Sequence, residues 1–331
     1  MIHPDAHIAP NLFDKPDKAA TRAGFGSGVV EAGKADQRVV VLTADLTEST
    51  CADAFAKTFP ERFVQVGVAE QNLATVAAGM AHAGKIPFAT SYAAFNPGRN
   101  WEQIRTTIGI NNVPVVICGM HAGLMTGPDG ATHQALEDIA LMRAIPHMTV
   151  ISPCDAIEAH KATLAAAKLG SPVYLRFGRD NMPTMTTSET PFSVGKANVL
   201  WCGEQSQAVI FSTGAITYHA LLAARELENE GIAVTVANIH TIKPLDEATV
   251  SRLAEEAGAV VTLEDHQVIG GLGGAIAECL ARTTPTPMEF LGAQNRFGQS
   301  GTPTELYEEY GLDVEHIKAA VKRAIARKSN R

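Results

Sequence analysis

A chain of 331 residues, 46% of them apolar, can bury the cores of two domains without disulfide or metal staples. Its 35 acidic side chains against 27 Lys and Arg leave a formal net charge of -8, which excludes a general attraction to nucleic acid or to an anionic membrane surface, so any anion site must be local. The five cysteines form no Cys-X-X-Cys pair, no His stands at zinc-ligand spacing, and no apolar run approaches the roughly 20 residues needed to span a membrane; free thiols, no metal ligands and a cytoplasmic location are the expectation.

Residues 1–17 hold three prolines and several charges and read as an extended arm, lying on the chain's own fold or on a partner. From residue 18, short apolar runs alternate with helix-length segments: Val39 to Thr43, Phe63 to Val66, Pro87 to Thr90, Val113 to Cys118, Thr149 to Ile151 and Pro172 to Arg176. Such runs predict buried parallel strands with crossover helices, hence a three-layer α/β domain over 18–183. A polar, turn-rich stretch over 184–195 predicts a linker. Residues 196–331 then repeat the pattern, with strands at Ala208 to Ser212, Ala233 to Ala237 and Ala259 to Leu263, so a second three-layer α/β domain is expected.

Three stretches carry chemistry. The segment His121-Ala-Gly-Leu-Met-Thr-Gly-Pro-Asp-Gly-Ala-Thr-His133 follows a buried strand, where ligand groups of open α/β sheets collect. It places two histidines and an aspartate in a Gly- and Pro-rich loop whose backbone can approach a ligand closely. A single loop histidine is more often structural, but the cluster reverses those odds. Val66-Gly-Val-Ala-Glu-Gln-Asn72 sets Glu70 where a strand gives way to a helix, and Thr90-Ser-Tyr-Ala-Ala-Phe-Asn-Pro-Gly-Arg99 follows another strand. The run Gly270-Gly-Leu-Gly-Gly274 lacks the full Gly-X-Gly-X-X-Gly pattern and a well-placed acidic partner, which argues against a nicotinamide site.

These stretches resemble the transketolase family, in which a His, an Asp and a Thr-His-Gln triplet recur at the spacing of His121, Asp129 and Thr132-His133-Gln134. The resemblance is dense from about Ala20 to Arg179 and weaker beyond. It implies a thiamine diphosphate pyrimidine-binding domain followed by a transketolase C-terminal domain. In that family the glutamate matching Glu70 contacts the aminopyrimidine and activates the cofactor. Tyr92 and Phe95 fall at two positions whose aromatic rings hold the pyrimidine, and Asp45 at a position near the cofactor of the neighbouring active site. Arg22, Ser49, His121 and Arg179 match ligands of the sugar phosphate, Asp129 the residue at the C2 hydroxyl, and His133 a contact near C1; His121 and His133 join Glu70 as catalytic candidates. Gly98 departs from the family, which has a third aromatic there, and leaves Arg99 or Trp101 to compensate.

The family binds its diphosphate through a divalent metal held by Gly-Asp-Gly followed further on by Asn, and no such motif occurs in this chain. The resemblance therefore implies the C-terminal subunit of a split transketolase, inactive alone. The Mg2+ or similar ion would sit on an N-terminal partner subunit in an α2β2 assembly. The expected reaction is transfer of a two-carbon ketol unit from a ketose phosphate to an aldose acceptor, with an unusual or branched catabolic sugar phosphate as the alternative donor. A 2-oxo acid dehydrogenase β-like or deoxyxylulose phosphate synthase-like subunit, or a non-catalytic scaffold, are the competing expectations; the four sugar-phosphate matches argue against the first two, and retention of Glu70 beside them against the third.

Overall fold

The computed structural model describes residues 1–329. Its strands, in chain order, are β1 (Lys18–Ala19), β2 (Val39–Thr43), β3 (Phe63–Gln65), β4 (Ile86–Tyr92), β5 (Val116–Met120), β6 (Thr149–Ile151), β7 (Val173–Arg176), β8 (Met182–Pro183), β9 (Asn198–Trp201), β10 (Ala208–Ser212), β11 (Val234–Asn238), β12 (Thr241–Lys243), β13 (Val260–Gln267) and β14 (Met288–Ala293). The helices are α1 (Thr21–Ala35), α2 (Asp53–Thr58), α3 (Glu70–His82), α4 (Trp101–Gln103), α5 (Asp138–Arg143), α6 (Ala156–Ala166), α7 (Thr217–Asn229), α8 (Glu247–Ala257), α9 (Leu272–Arg282), α10 (Pro303–Glu309) and α11 (Val314–Ser329).

Two α/β layers result. The first has a seven-stranded sheet of order β12-β6-β7-β5-β4-β2-β3, and the second a five-stranded sheet of order β14-β13-β10-β11-β9. All pairings within them are parallel except β12 on β6 and β9 on β11. Every residue of β2, β5, β6 and β7 is buried, which is why these runs are mainly apolar rather than alternating, with polar residues only at strand ends: Thr43, Thr149 and Arg176. On one face α1 lies directly against α6. A Cβ on Gly24 would stand 2.0 Å from the Ala156 carbonyl oxygen, so the close crossing requires a residue without one.

One strand crosses between the layers. After β11 completes its place in the second sheet, β12 leaves it and pairs antiparallel with β6 at the edge of the first. Lys243 secures the exchange by donating to the Arg143 and Ile145 carbonyl oxygens. A single apolar cluster accordingly runs from Leu42, Leu73 and Ile117 through Ile239 and Ile242 to Phe211 and Leu272.

The N-terminal arm lies on this chain's own second layer. His3 N–H donates to the Leu200 carbonyl, Leu12 is buried, and Phe13 meets Trp201 edge-on at 5.9 Å between ring centres. Asp155 caps α6 through the Glu158 amide at 2.8 Å and also accepts from the Met185 amide at 2.7 Å, tying the segment after β8 to the first layer.

Candidate active site

Glu70 opens α3 and is 2% exposed. Its Oε1 accepts from the Ser91 hydroxyl at 3.2 Å, while Oε2 is buried and has no hydrogen-bond partner. A carboxylate oxygen out of water and unpaired is costly, so its persistence marks a place for a ligand donor. The Glu70 backbone is fixed too: Asn100 Nδ2 donates to its carbonyl oxygen at 2.9 Å and to Asn96 Oδ1 at 3.0 Å. Asn96 Nδ2 in turn reaches the Ala89 and Cys118 carbonyls, bridging β4 and its neighbour β5. An open groove of about 490 Å3, lined by Val68, Glu70, Thr75, Arg99 and Gln103 among others, runs beside the helix start.

From Ser91 the chain continues to Tyr92, at the carboxyl end of β4, and Tyr92 is in register with Met120 at the end of β5. The next residue is His121, held at φ 55, a left-handed conformation uncommon for a residue with a side chain. Its ring lies 4.0 Å from that of Tyr92 between centres. His133 meets Phe95 edge-on at 5.5 Å and Tyr92 at 6.1 Å. The two aromatic residues and the two loop histidines thus form one cluster, joined to Glu70 through Ser91. Burial pushes the His121 imidazole down to about 3, with the nearby positive charges of Arg22 and Arg179 and the His133 ring acting in the same direction. The ring is therefore neutral at physiological pH, and its buried Nδ1 has no partner.

The anion-ligand candidates also converge. Arg22 donates from Nε to the Arg179 carbonyl oxygen at 3.1 Å and from Nη1 to the Ser49 carbonyl oxygen at 2.7 Å. The Ser49 hydroxyl itself donates to the Leu46 carbonyl oxygen at 3.3 Å. Arg179 donates to the Thr126 carbonyl oxygen at 2.8 Å and stands 3.6 Å from Asp129 Oδ1. The family motifs put Arg179 and Asp129 at opposite ends of the sugar, whereas the fold brings the two side chains together. Asp45 sits apart from this cluster, exposed after β2 at φ 63, its amide bonded to Gln65 Oε1 at 2.7 Å. Gln65 Oε1 also receives the Gly67 amide, which ties Asp45 to the turn leading into Glu70.

Gly98 has a steric reason to lack a side chain: a Cβ there would meet the Ala94 carbonyl oxygen at 2.1 Å. Trp101 Nε1 donates to the Leu141 carbonyl at 3.0 Å, and Arg99 lies 5.5 Å from the centre of the Phe95 ring. Ser91, Asn96 and Asn100 were not singled out from the sequence. The signal available was two asparagines one helical turn apart in a Pro- and Gly-containing bend, with no solvent-facing partner to explain them.

The doubled α/β frame is that of the transketolases, and the chain belongs to that family. Residues 17–185 match the family model described as transketolase, pyrimidine binding domain, and residues 195–317 match transketolase, C-terminal domain. The likeness is to proteins that carry these two domains. A solved structure of a split gene transketolase, described as an inactive β4 tetramer, superposes with a TM-score of 0.87 at 44% identity, covering 93% of this chain and 99% of that one. The 6-deoxy-6-sulfo-D-fructose transketolase subunit SqwH of a Clostridium species is 38% identical over 303 residues, 92% of this chain and 94% of its own length. A subunit of the apulose-4-phosphate transketolase of Phocaeicola vulgatus is 35% identical over 299 residues, 90% and 95% of the two chains.

Proposed function

We propose that this chain is the C-terminal subunit of a split, thiamine diphosphate-dependent transketolase, moving a two-carbon ketol unit from a ketose phosphate to an aldose acceptor. The observation that carries the reading is the free, buried Oε2 of Glu70, whose other oxygen accepts from Ser91, the residue that precedes Tyr92 in the ring cluster with Phe95 and His121. These residues fit the aminopyrimidine end of the cofactor: a carboxyl oxygen for its ring nitrogen and aromatic faces for its flat heterocycle. When bound, thiamine diphosphate supplies the carbon nucleophile and the electron sink for breaking the C2–C3 bond of the donor.

The residues of this chain do the rest. Glu70 holds and polarises the ring nitrogen in a site shielded from water. His121 and His133 orient the reacting end of the sugar by hydrogen bonds, Asp129 contacts the C2 hydroxyl of the aldose and so selects its configuration, and Arg22, Ser49 and Arg179 hold the phosphate. Asp45 serves the cofactor of the adjacent site. The diphosphate and its divalent ion belong to an N-terminal partner in an α2β2 heteromer, and this chain is inactive alone; the description of the similar β4 tetramer as inactive supports that division.

The two relatives named for 6-deoxy-6-sulfo-D-fructose and apulose-4-phosphate favour a second reading of the donor, an unusual catabolic sugar bearing a phosphate or sulfonate. Paired guanidinium groups serve either anion. The test is to co-express the chain with an N-terminal transketolase subunit from the same source and assay the pair on pentose, branched and sulfonated ketoses and on pyruvate. Ketol transfer by the pair and none by this chain alone is expected; turnover by the isolated chain, or decarboxylation of pyruvate without ketol transfer, overturns the reading.

A further inference from the structure

The loop that bears the proposed sugar ligands is held from both domains: the Ala122 amide donates to the Phe177 carbonyl and Arg179 to the Thr126 carbonyl within the first, and the second adds a brace of its own. Between His121 and His133 the backbone makes only short 3-10 turns over Leu124–Asp129, interrupted at Gly127. Its two amides at the first turn point to a residue of β13 in the other layer: the Leu124 amide donates to Asp265 Oδ1 at 2.8 Å and the Met125 amide to Asp265 Oδ2 at 3.4 Å. Tyr307 in α10 donates its hydroxyl to the same Oδ2 at 3.2 Å. Asp265 is 5% exposed, and the approach is so close that a Cβ on Gly123 would lie 2.2 Å from its carboxylate. The Asp265 backbone is fixed as well, its carbonyl accepting from Arg176, whose guanidinium is paired with Asp138 in the interior.

The far side of the loop is braced from the same layer. Gln134 Nε2 donates to the Gly127 carbonyl and to the Gln299 carbonyl, each at 3.0 Å. Between the braces, the Thr126 hydroxyl donates to the His121 carbonyl oxygen while the Thr126 carbonyl accepts from Arg179. Moving Leu124 and Met125 therefore moves the residue that ties His121 to Arg179. By contrast, the contacts that fix Glu70 come from Ser91 and Asn100 alone, both in the first layer.

We propose that Asp265 is a positioning residue for the sugar substrate, setting the conformation of the His121–His133 loop from the C-terminal domain without touching the ligand. The inference rests on the sugar-phosphate reading given above and adds to it a task for the second domain: it governs the sugar end of the site and leaves the cofactor end to the first. Replacing the carboxylate with an amide presents an N–H group to at least one of the three donors, leaving it unpaired in the interior.

The test uses the co-purified heteromer carrying Asp265→Asn. The expected result is a fall of roughly tenfold or more in kcat/KM for the ketose donor, mostly in KM, with thiamine diphosphate affinity within about twofold of wild type. Amide hydrogen exchange over residues 123–134 should speed up by about tenfold while that over 70–82 is unchanged. Asp246→Asn is the control for general destabilisation: this carboxylate, in the same domain, receives the Thr249 and Ala197 amides and should lower Tm without moving either readout. Tyr307→Phe, which removes one donor and no acceptor, should raise KM by roughly twofold to fivefold, and it carries the test should the Asp265 variant fail to fold. The proposal is overturned if both variants lower Tm yet leave KM and loop exchange alone, or if cofactor affinity falls in parallel with KM. A wild-type heteromer that binds the cofactor but transfers no ketol unit would defeat the functional reading instead, and loop exchange alone would then decide the role of Asp265.

Discussion

The two ends of the proposed site, one for the cofactor and one for the sugar, are built differently. The cofactor end is a compact network inside one layer: Glu70 is fixed by Ser91 and Asn100, and Asn96 locks the bend to β4 and β5. The sugar end is assembled from a left-handed histidine, a glycine-rich loop and arginines that each donate to backbone carbonyls, and it draws support from the second layer as well as the first. A pre-set network suits a cofactor that stays through every cycle, whereas a loop held from two sides suits a substrate that comes and goes.

The contrast can be tested from its strongest point downward. Glu70→Ala in the heteromer should lower turnover by about a thousandfold or more, because it removes a group that acts on the cofactor in every step; activity above a few per cent of wild type would place the chemistry elsewhere. Arg179→Ala should cost roughly tenfold to a hundredfold in KM for the phosphorylated donor with a much smaller change in kcat, measured by steady-state kinetics on phosphorylated and unphosphorylated ketoses. Equal losses on both substrates would mean that Arg179 serves the fold rather than the anion. Asn100→Ala, which leaves the Glu70 carbonyl and Asn96 Oδ1 without their donor, should destabilise the first domain by about 1–3 kcal/mol in denaturant titration and weaken cofactor binding more than sugar binding.

The smallest effect concerns acid stability. His121, His240 and His266 are depressed by burial to about 3, 4 and 4, below the value of about 6.5 that they regain on unfolding. Between those limits the unfolded chain binds protons that the folded chain does not, so stability should fall as pH drops below about 6.5. Glu264, raised to about 7 by burial, opposes this by adding stability as pH falls through 7 towards its unfolded range. Glu137, Asp155, Glu158 and Asp265 are raised by burial in the same sense as Glu264, so the imidazole contribution is read by difference: His240→Gln should lessen the loss of Tm between pH 7 and pH 5 relative to wild type, and an unchanged slope contradicts the His240 assignment.

Much of the architecture was legible because the buried strands announce themselves. The runs at 39–43, 149–151 and 208–212 are strands with those same limits, since a segment covered on both faces is apolar but for a hydroxyl residue at one end. The crossover strand β12 was not seen: Thr241-Ile-Lys is three residues long, and its partner β6 lies far earlier in the chain and in the other layer, so no local pattern marks it. At the site, residues named from motif spacing converge where they include a charge or ring in a glycine-rich loop. The supporting residues escaped notice because an isolated Ser, Asn or Asp carries no periodicity. Asp265 illustrates this: nothing local in Glu264-Asp-His266 marks the middle carboxylate, and only the fold shows it accepting from the amides of the His121–His133 loop. Its neighbours do pack inward, with Glu264 capping α9 through the Leu272 and Gly273 amides.

All of this depends on what the free oxygen of Glu70 meets. A crystal structure of the heteromer with thiamine diphosphate bound answers that directly. The account predicts Oε2 at a hydrogen-bonding distance of about 2.6–3.2 Å from the pyrimidine ring nitrogen, with the Tyr92 and Phe95 side chains against the heterocycle. A pyrimidine ring bound elsewhere, with Oε2 still unpaired or turned to water, would contradict it.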